Sequence, residues 1–533
     1  MRGFSALAGR ARSIAAIRPR HLVEFCAKPA VILTAITVFA AVRRLHLLGS
    51  QSFWSDEAET VTLATMPWPA MKHVVLTRET NMGLYFLFMR AWTALGTTES
   101  IFRMPSAIAS IATIPLLYLA GRRLFGSSIA LAAALLFAAN PMGIAYAQES
   151  RSYSIEVMLV AASWLFFLRT IDRSSAGNLA GWVLATTLAV YAHSLAFLAI
   201  PAQLVPLLIV RRRNAPWFQL LAGAALVGLL VLPLAILAAR NDAGQLDWIS
   251  PLNWSYATHE LVKMTGVMVF DSSGNAFGTL CGFAVLLAIA ELVTGFKRSR
   301  EDAAPYLFAA CAVLVPFALS AAVSFFKPLL LARYLIFSLP MVCLLAAAGC
   351  WMVRSAVGRA GLLAAIVAAG LWHDTVLTTT YRREDWRAVA LAMRLGGVRG
   401  DAVVVYYAPN RWSLDYYLRR MHIAPGFFDF IYPDWDANLE IDGHFTTDRD
   451  AKAILAAELL KGISSAADNG RRVWFIYDRK TWDVFPPNAS VKTVYSLLRR
   501  RYRVLALRSV HGVGVLLFSW PQPPRPYRPP PSR

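Results

Sequence analysis

Charge is scarce in this chain. Only 16% of its 533 residues are Asp, Glu, Lys or Arg, while 57% are hydrophobic. That balance excludes an ordinary water-soluble globular protein. Acid is scarcer than base: 32 Asp and Glu stand against 53 Lys and Arg, a net charge of +21. The excess base lacks the interleaved aromatic residues of a nucleic-acid groove. Many of the basic residues lie in short loops between apolar runs, where orientation signals belong. No nucleic-acid partner is expected. Cysteine is sparse too, with five residues: Cys26, Cys281, Cys311, Cys343 and Cys350. Without a CxxC spacing or a Cys/His cluster, neither a disulfide framework nor a zinc site is supported. Internal repeats are absent. So is a small-residue cleavage site: Arg43-Arg44 follows the first apolar run, behind Arg2, Arg10, Arg12, Arg18 and Arg20. The N-terminal segment is read as an uncleaved anchor.

What is abundant is apolar sequence. Runs of about 17–25 residues, enough to cross a hydrocarbon core of roughly 30 Å, recur before residue 380. Eleven spans are expected, near 30–48, 104–121, 127–143, 153–169, 178–193, 195–210, 217–239, 276–296, 304–325, 330–353 and 360–378. The fold class is a polytopic α-helical membrane protein of about 11 transmembrane helices with a small C-terminal α/β domain. Asn81–Gly96 is apolar but short and carries Arg90. If it does not cross, the N-terminus, Arg122-Arg123, Arg169/Arg173, Arg211-Arg212-Arg213, Lys297-Arg298-Arg300 and Arg354/Arg359 share one side. The bias of basic residues toward the cytoplasm selects that arrangement and makes Asn81–Gly96 a helix in the outer interface. Trp54–Arg103, Tyr146–Arg151, the loop 240–275, Lys327 and the C-terminal part then lie on the non-cytoplasmic face.

The expected organisation follows. Residues 1–29 form a basic cytoplasmic N-terminus, and 30–379 a membrane domain whose first outer loop, 49–103, carries interfacial helices. Residues 380–520 form a periplasmic α/β domain, and 521–533 a disordered Pro/Arg tail. Within the α/β domain, Asp401–Tyr407 and Arg472–Tyr477 read as buried strands, and Arg503–Leu507 with Gly512–Trp520 as a closing hairpin. Arg383–Leu395 and Asp450–Lys461 have helical spacing. The expected location is a plasma (inner) membrane, with the C-terminal domain outside the cytoplasm.

Three constellations carry chemistry. The first is Asp56 and Glu57 in Phe53-Trp54-Ser55-Asp56-Glu57, directly after the first span. A transferase that moves a sugar onto a hydroxyl needs a carboxylate to take the proton. With phosphate as leaving group no general acid is required, unlike the hydrolysis of a simple glycoside. The competing structural reading is a helix start with acid in its first turn, and spacing alone does not separate the two. The second is Tyr146-Ala147-Gln148-Glu149-Ser150-Arg151-Ser152-Tyr153-Ser154, polar residues crowded between two spans. An interfacial belt accounts for Tyr146 and Tyr153 but poorly for Glu149 and Arg151. The third is cationic: Arg103, Lys327 and Arg333-Tyr334, at the depth where a lipid phosphate docks. Snorkelling to head groups competes, more for Lys327 than for Arg333. His193 is read as structural. Arg240-Asn241-Asp242, Asp247-Trp248 and His259-Glu260 decorate the long outer loop, and Asn253 and Asn488 start weak glycosylation patterns.

As an ordered set, these motifs resemble the GT-C superfamily of membrane glycosyltransferases. More closely they resemble the bacterial glycosyltransferase family 39 group, related to protein O-mannosyltransferases and lipid A aminoarabinose transferases. The matching segments are Trp54–Glu57, Asn81-Met82-Gly83-Leu84-Tyr85, Arg103-Met104-Pro105-Ser106, Gly121–Gly126, Tyr146–Tyr153, Arg333-Tyr334 and Glu384-Asp385-Trp386-Arg387. Many relatives carry Pro-Pro where Met82-Gly83 stands here. The resemblance implies a GT-C fold and an inverting transferase using a polyprenyl-phosphate sugar. It implies that Asp56 is the base, that Glu57 helps hold the site, and that Arg103 meets the donor phosphate. Beside Arg103, the residues expected to bind that phosphate are Arg333, Lys327 and Tyr334; those expected to organise the site are Trp54, Glu149, Arg151, Tyr146, Tyr153 and Asn81. Expected partners are a polyprenyl-phosphate sugar lipid, membrane lipids, and an acceptor glycan, lipid or protein. No dedicated metal or cofactor is expected, since two carboxylates are too few for a cage, but a loosely held divalent cation fits. Two rivals remain: a polymerase or ligase using a lipid-diphosphate glycan, and a lipid-linked glycan transporter, whose site would sit near the bilayer midplane.

Overall fold

The computed structural model describes residues 28–77, 81–211, 215–240, 246, 249–381, 383–406, 409–432, 470–479 and 502–519, with the short pieces 461–462, 465–466, 495–496 and 498–499. Several expectations fall outside these residues. They are the basic segment 1–27 with Cys26, Arg212 and Arg213, Asn241 and Asp242, Asp247 and Trp248, Tyr407, the helix over 450–461 except its last residue, the Asn488 pattern, Trp520 and the tail 521–533.

Helices dominate. In chain order they are α1 (Pro29–Leu45), α2 (Ser55–Thr65), α3 (Trp68–Thr77), α4 (Gly83–Trp92), α5 (Glu99–Ala138), α6 (Pro141–Ala147), α7 (Tyr153–Asp172), α8 (Ala176–Ala192), α9 (Ala199–Val210), α10 (Trp217–Arg240), α11 (Trp254–Lys263), α12 (Ser272–Arg298), α13 (Arg300–Val323), α14 (Leu339–Cys350) and α15 (Ala356–Thr379). Among the described residues, seven helical stretches are long and apolar enough to cross a membrane, and Ala176–Ala192 and Ser194–Val210 are shorter apolar ones. The expected span 104–121 and residues 127–138 of the expected span 127–143 run as the one element α5, while 141–143 belong to α6. α5 breaks at Gly126, whose φ of 80° is a conformation glycine adopts without strain. Close helix contact relies on small residues: a Cβ at Gly349 of α14 would collide with the Ala284 carbonyl oxygen of α12.

Asn81–Gly96 folds as α4 and a short 3-10 turn, Thr93–Leu95. The 10 residues of α4 are too few to cross a core of roughly 30 Å at about 1.5 Å per residue. It packs on α2 instead, so the segment between α1 and α5 builds a small helical layer.

The C-terminal part adds α16 (Trp386–Gly396), β1 (Ala402–Tyr406), α17 (Asn410–Arg420), β2 (Asp429–Tyr432), β3 (Val473–Asp478), β4 (Arg503–Val510) and β5 (Val513–Ser519). The sheet order is β2-β1-β3-β5-β4. β1 runs parallel to β2 and β3, and β5 antiparallel to β3 and β4. The four expected strands are all present; β2 and α17 are additions. Because side chains alternate across a strand, Val403, Val405, Trp474 and Ile476 face one side and Ala402, Val404, Val473 and Phe475 the other. Both faces are covered, which is why β1 reads as a continuous apolar run. The first face shares one core with the segment between α1 and α5: Trp386, Tyr416 and Tyr417 pack with Phe53, Val61, Phe86 and Phe102. The segment between α1 and α5 is thus fastened to the C-terminal part as well as to the helical bundle.

Candidate active site

The two acids of the first loop have opposite fates. Both lie in the first turn of α2, and neither caps it through its side chain. Consecutive helical residues point about 100° apart. Glu57 therefore turns into the protein while Asp56 stays partly exposed. Glu57 Oε1 accepts from Arg103 Nε at 2.7 Å and from the Ser150 backbone N–H at 2.9 Å. Its Oε2 accepts from Arg103 at 2.7 Å and from Arg383 at 2.6 Å. Burial alone would push this carboxyl up, but the guanidiniums of Arg103 and Arg383 hold it below the ordinary carboxylate range.

Arg103 is equally committed. Its five hydrogen bonds go to Glu57, twice, and to the backbone carbonyls of Leu48, Gln51 and Ser52. Those use up the donors a guanidinium possesses and leave none for a phosphate. The side chain is 2% exposed. The expectation that Arg103 meets the donor phosphate does not fit this geometry; Arg103 ties the end of α1 to the start of α2.

The segment 146–153 closes over this core. Thr60 Oγ1 donates to the Ser150 carbonyl at 3.0 Å, and Ser106 Oγ to the Arg151 carbonyl at 3.0 Å. The Arg151 guanidinium donates to Glu59 at 2.8 Å and to the Asp56 carbonyl at 3.2 Å. Glu149 accepts from Arg383 at 2.8 Å. Burial pushes the Glu149 carboxyl up to about 7; Arg383 pulls it down, while Glu57 and Asp56 push it further up. Arg383 itself is raised: burial opposes its charge, but Glu57 and Glu149 more than offset that. Its guanidinium lies 5.9 Å from the Trp54 ring centre.

Arg383 is the functional residue missed at the sequence level. It precedes the Glu384–Arg387 motif directly, and that adjacency was the available signal. Ser52 fastens the backbone just after Arg383: its hydroxyl donates to the Glu384 carbonyl at 2.5 Å and accepts the Trp386 N–H at 3.1 Å.

Asp56 differs from its neighbours. Among the described residues its carboxylate enters no ion pair, and Ser55 Oγ, at 3.4 Å, is a loose contact. Tyr153, Arg333 and Tyr334 lie within electrostatic reach of it, and Tyr146 packs on Tyr153. The Tyr146 and Tyr153 rings are 5.0 Å apart, edge to face. Arg333 interacts electrostatically with Tyr153, Tyr146 and Asp56, and lies 5.6 Å from the Tyr334 ring centre. The structure thus brings together Trp54, Asp56, Glu57, Arg103, Tyr146, Glu149, Arg151, Tyr153, Arg333 and Tyr334. Asn81 joins from the side, its Oδ1 accepting from Ser194 N at 2.9 Å and Oγ at 2.6 Å. Lys327 stands in the turn after α13, six residues before Arg333. On α11, His259 is exposed, whereas Glu260 is buried and accepts the Ala332 N–H at 2.6 Å beside Arg333. Asn253 caps α11. Among the described residues no three His, Cys, Asp or Glu gather as a metal cluster.

Two cavities flank the cluster. One, of about 400 Å³, is almost wholly apolar and lies among α4, α5, α7 and α8, lined by Tyr85, Phe88, Trp92, Ile108, Met158 and Leu188. The other, of about 700 Å³, lies between α1, α15 and the C-terminal part, with Arg43, Gln148, Asp374, Arg383 and Arg387 in its wall.

This architecture, an acid pair after the first helix of a bundle joined to a C-terminal sheet, is shared with solved structures of other proteins. ArnT from Cupriavidus metallidurans in the apo state superposes with a TM-score of 0.59 at 14% identity, covering 92% of this chain and 97% of that one. ArnT bound to undecaprenyl phosphate gives 0.57 at 13% identity, with the same coverage. The Archaeoglobus fulgidus oligosaccharyltransferase complexed with zinc and sulfate gives 0.52 at 14% identity, covering 91% of this chain and 72% of that one. Residues 83–237 match the family described as dolichyl-phosphate-mannose-protein mannosyltransferase. No curated protein sequence matches the chain. The chain is therefore similar in fold to ArnT, and its residues 83–237 resemble the protein mannosyltransferases.

Proposed function

We propose that the protein is an inverting glycosyltransferase that moves a sugar from a polyprenyl-phosphate donor to a hydroxyl or amine acceptor at the periplasmic face of the inner membrane. The observation that carries this reading is Asp56: a partly exposed carboxylate without an ion pair among the described residues, beside a loop whose other strong charges are matched. The acceptor oxygen or nitrogen attacks the anomeric carbon as the carbon–oxygen bond to phosphate breaks. The electron pair leaves with the polyprenyl phosphate, and Asp56 takes the acceptor proton. Arg333, with Tyr334 and Lys327, meets the charge growing on the leaving phosphate. Arg103, Arg383, Glu57, Glu149 and Arg151 hold the loop so that Asp56 keeps its aim. The apolar cavity beside Tyr85 suits a hydrocarbon tail, and the larger one, with Arg383 in its wall, gives an acceptor its approach. ArnT, similar in fold, binds undecaprenyl phosphate, which supports the donor class.

The test is transfer from a panel of labelled lipid-monophosphate and lipid-diphosphate sugars by purified protein in lipid, with and without a chelator, wild type beside Asp56→Asn. Transfer from a monophosphate donor that disappears in Asp56→Asn is the expected result. Transfer from diphosphate donors alone replaces the donor class, and loss on chelation adds a cation. Full activity of Asp56→Asn overturns the role of Asp56.

A further inference from the structure

Beneath the aromatic layer lie two ionisable groups that the proposed reaction does not use. Glu156 sits one turn after Tyr153 in α7, with 0% of its side chain exposed. His193 follows the last residue of α8 and is 1% exposed. His193 Nδ1 stands 3.6 Å from Glu156 Oε1, too far for a hydrogen bond. Among the described residues, neither carboxylate oxygen of Glu156 and neither ring nitrogen of His193 has a hydrogen-bond partner. A buried polar atom left in that condition has lost its water and gained nothing in exchange, so four at one point need an explanation.

The surroundings point to a ligand. The His193 ring lies between Tyr153 and Tyr334, at 5.7 and 5.2 Å between ring centres. Tyr334 is also the ring beneath Arg333. Ser194, next in the chain, is fastened to Asn81 and fixes the backbone at His193. A purely structural reading places Glu156 as acid in the first turn of α7, where the helix dipole favours it. That reading leaves His193 unexplained, and it expects backbone N–H groups on the carboxylate, which Glu156 lacks.

We propose that Glu156 and His193 form the polar floor of the pocket for the transferred sugar and select it by its hydroxyl or amino substituents. The assignment rests on the glycosyltransferase reading above. A sugar hydroxyl donates to a carboxylate oxygen and accepts from an imidazole N–H, and the Tyr153 and Tyr334 rings wall the apolar faces of the sugar ring. A phosphate at Arg333 sets its attached sugar over this floor, because Arg333 and His193 meet at Tyr334. A donor lacking the substituent leaves the pair unsatisfied again, which is how a hydrogen-bonding site rejects an analogue strongly.

The experiment uses the full protein in lipid vesicles, with the lipid-phosphate sugar it turns over fastest and the same donor lacking one hydroxyl or amino group at a time. In Glu156→Gln, kcat/KM for the best donor should fall about tenfold or more, and its preference over one of the deoxy donors should shrink by a similar factor. The melting temperature should stay level or rise, since an unmatched buried carboxylate has gone. His193→Gln provides the same readout if Glu156→Gln fails to fold. An equal fall on every donor with preference unchanged and melting lowered makes the pair structural and overturns the assignment. If the wild type transfers sugar from no lipid-linked donor, the glycosyltransferase reading has failed and this assignment falls with it.

Discussion

The site has two halves of opposite character. Toward the C-terminal sheet, the central charges are matched: Glu57 accepts four hydrogen bonds and Arg103 donates five. Toward the spans, Glu156 and His193 are buried with no hydrogen bond among the described residues, and Asp56 has no ion pair there. Matched buried charge fixes geometry and resists change; unmatched polar groups are tolerated where something from outside completes them. The difference separates scaffold from working surface, and the boundary between them runs between the neighbours Asp56 and Glu57.

The sharpest way to break this comparison is to neutralise each neighbour in turn. Asp56→Asn should cost on the order of a thousandfold in transfer rate, within the range for loss of a general base, and leave the melting temperature unchanged. Glu57→Gln should do the reverse first: it strips the charge facing Arg103 and Arg383, which costs about 3–5 kcal/mol of stability when a buried pair is broken. Rate assays and thermal melting in lipid check both. Equal melting losses for the two variants would erase the boundary drawn between them. Arg103→Ala is the next largest effect and sharpens the same point. It leaves Glu57 with Arg383 and one backbone N–H, so stability should fall by about 3 kcal/mol or more. Donor KM in the surviving folded fraction should hold, because Arg103 has no donor left over for phosphate.

How far the residues alone reveal this arrangement differs by residue. The Asp56-Glu57 pair, the dense segment 146–153 and the strands around Val403, Phe475 and Leu516 stand out, because local pattern and composition mark them. The inward turn of Glu57 does not stand out. It depends on Arg103, 46 positions away, and on Arg383, 326 positions away, and no periodicity encodes a partner at that distance. Arg103 looks like a phosphate ligand for the same reason: a guanidinium at the start of a span has the same sequence signature whether it points in or out. β2 has only four residues and α17 is rich in charged and aromatic residues, so neither carries a strong period. Glu156 is hidden inside an otherwise apolar span, where its first-turn position reads as helix chemistry.

A pH series probes the contact between the halves. Glu149 has its carboxyl pushed up to about 7 by burial, against the pull of Arg383. The folded state thus holds this proton more tightly than the unfolded chain, whose carboxyl ionises near its ordinary value of about 4.3. The stability due to that proton is fully present below the ordinary value and is lost as pH rises through about 7. Wild-type melting should fall over that window, and Glu149→Gln should flatten the fall. An unchanged slope in Glu149→Gln would assign the titration to another group.

The smallest expected effect tests whether the C-terminal sheet supports the chemistry or takes part in it. The Tyr417 hydroxyl accepts the Phe53 N–H at 2.8 Å and donates to Glu99 at 2.8 Å. Phe53 is three residues before Asp56, so this bond holds the approach to the base from the sheet side. Tyr417→Phe leaves the Phe53 N–H without its partner, at a cost of about 1–3 kcal/mol. Glu99 keeps Arg387 and Arg420, so no carboxylate is stranded and the cost belongs at the lower end. Transfer at low temperature should change less than about threefold, with melting slightly reduced. A loss in Tyr417→Phe as deep as that in Asp56→Asn, with melting intact, would move the sheet from support into the reaction and redraw the scaffold half as part of the working surface.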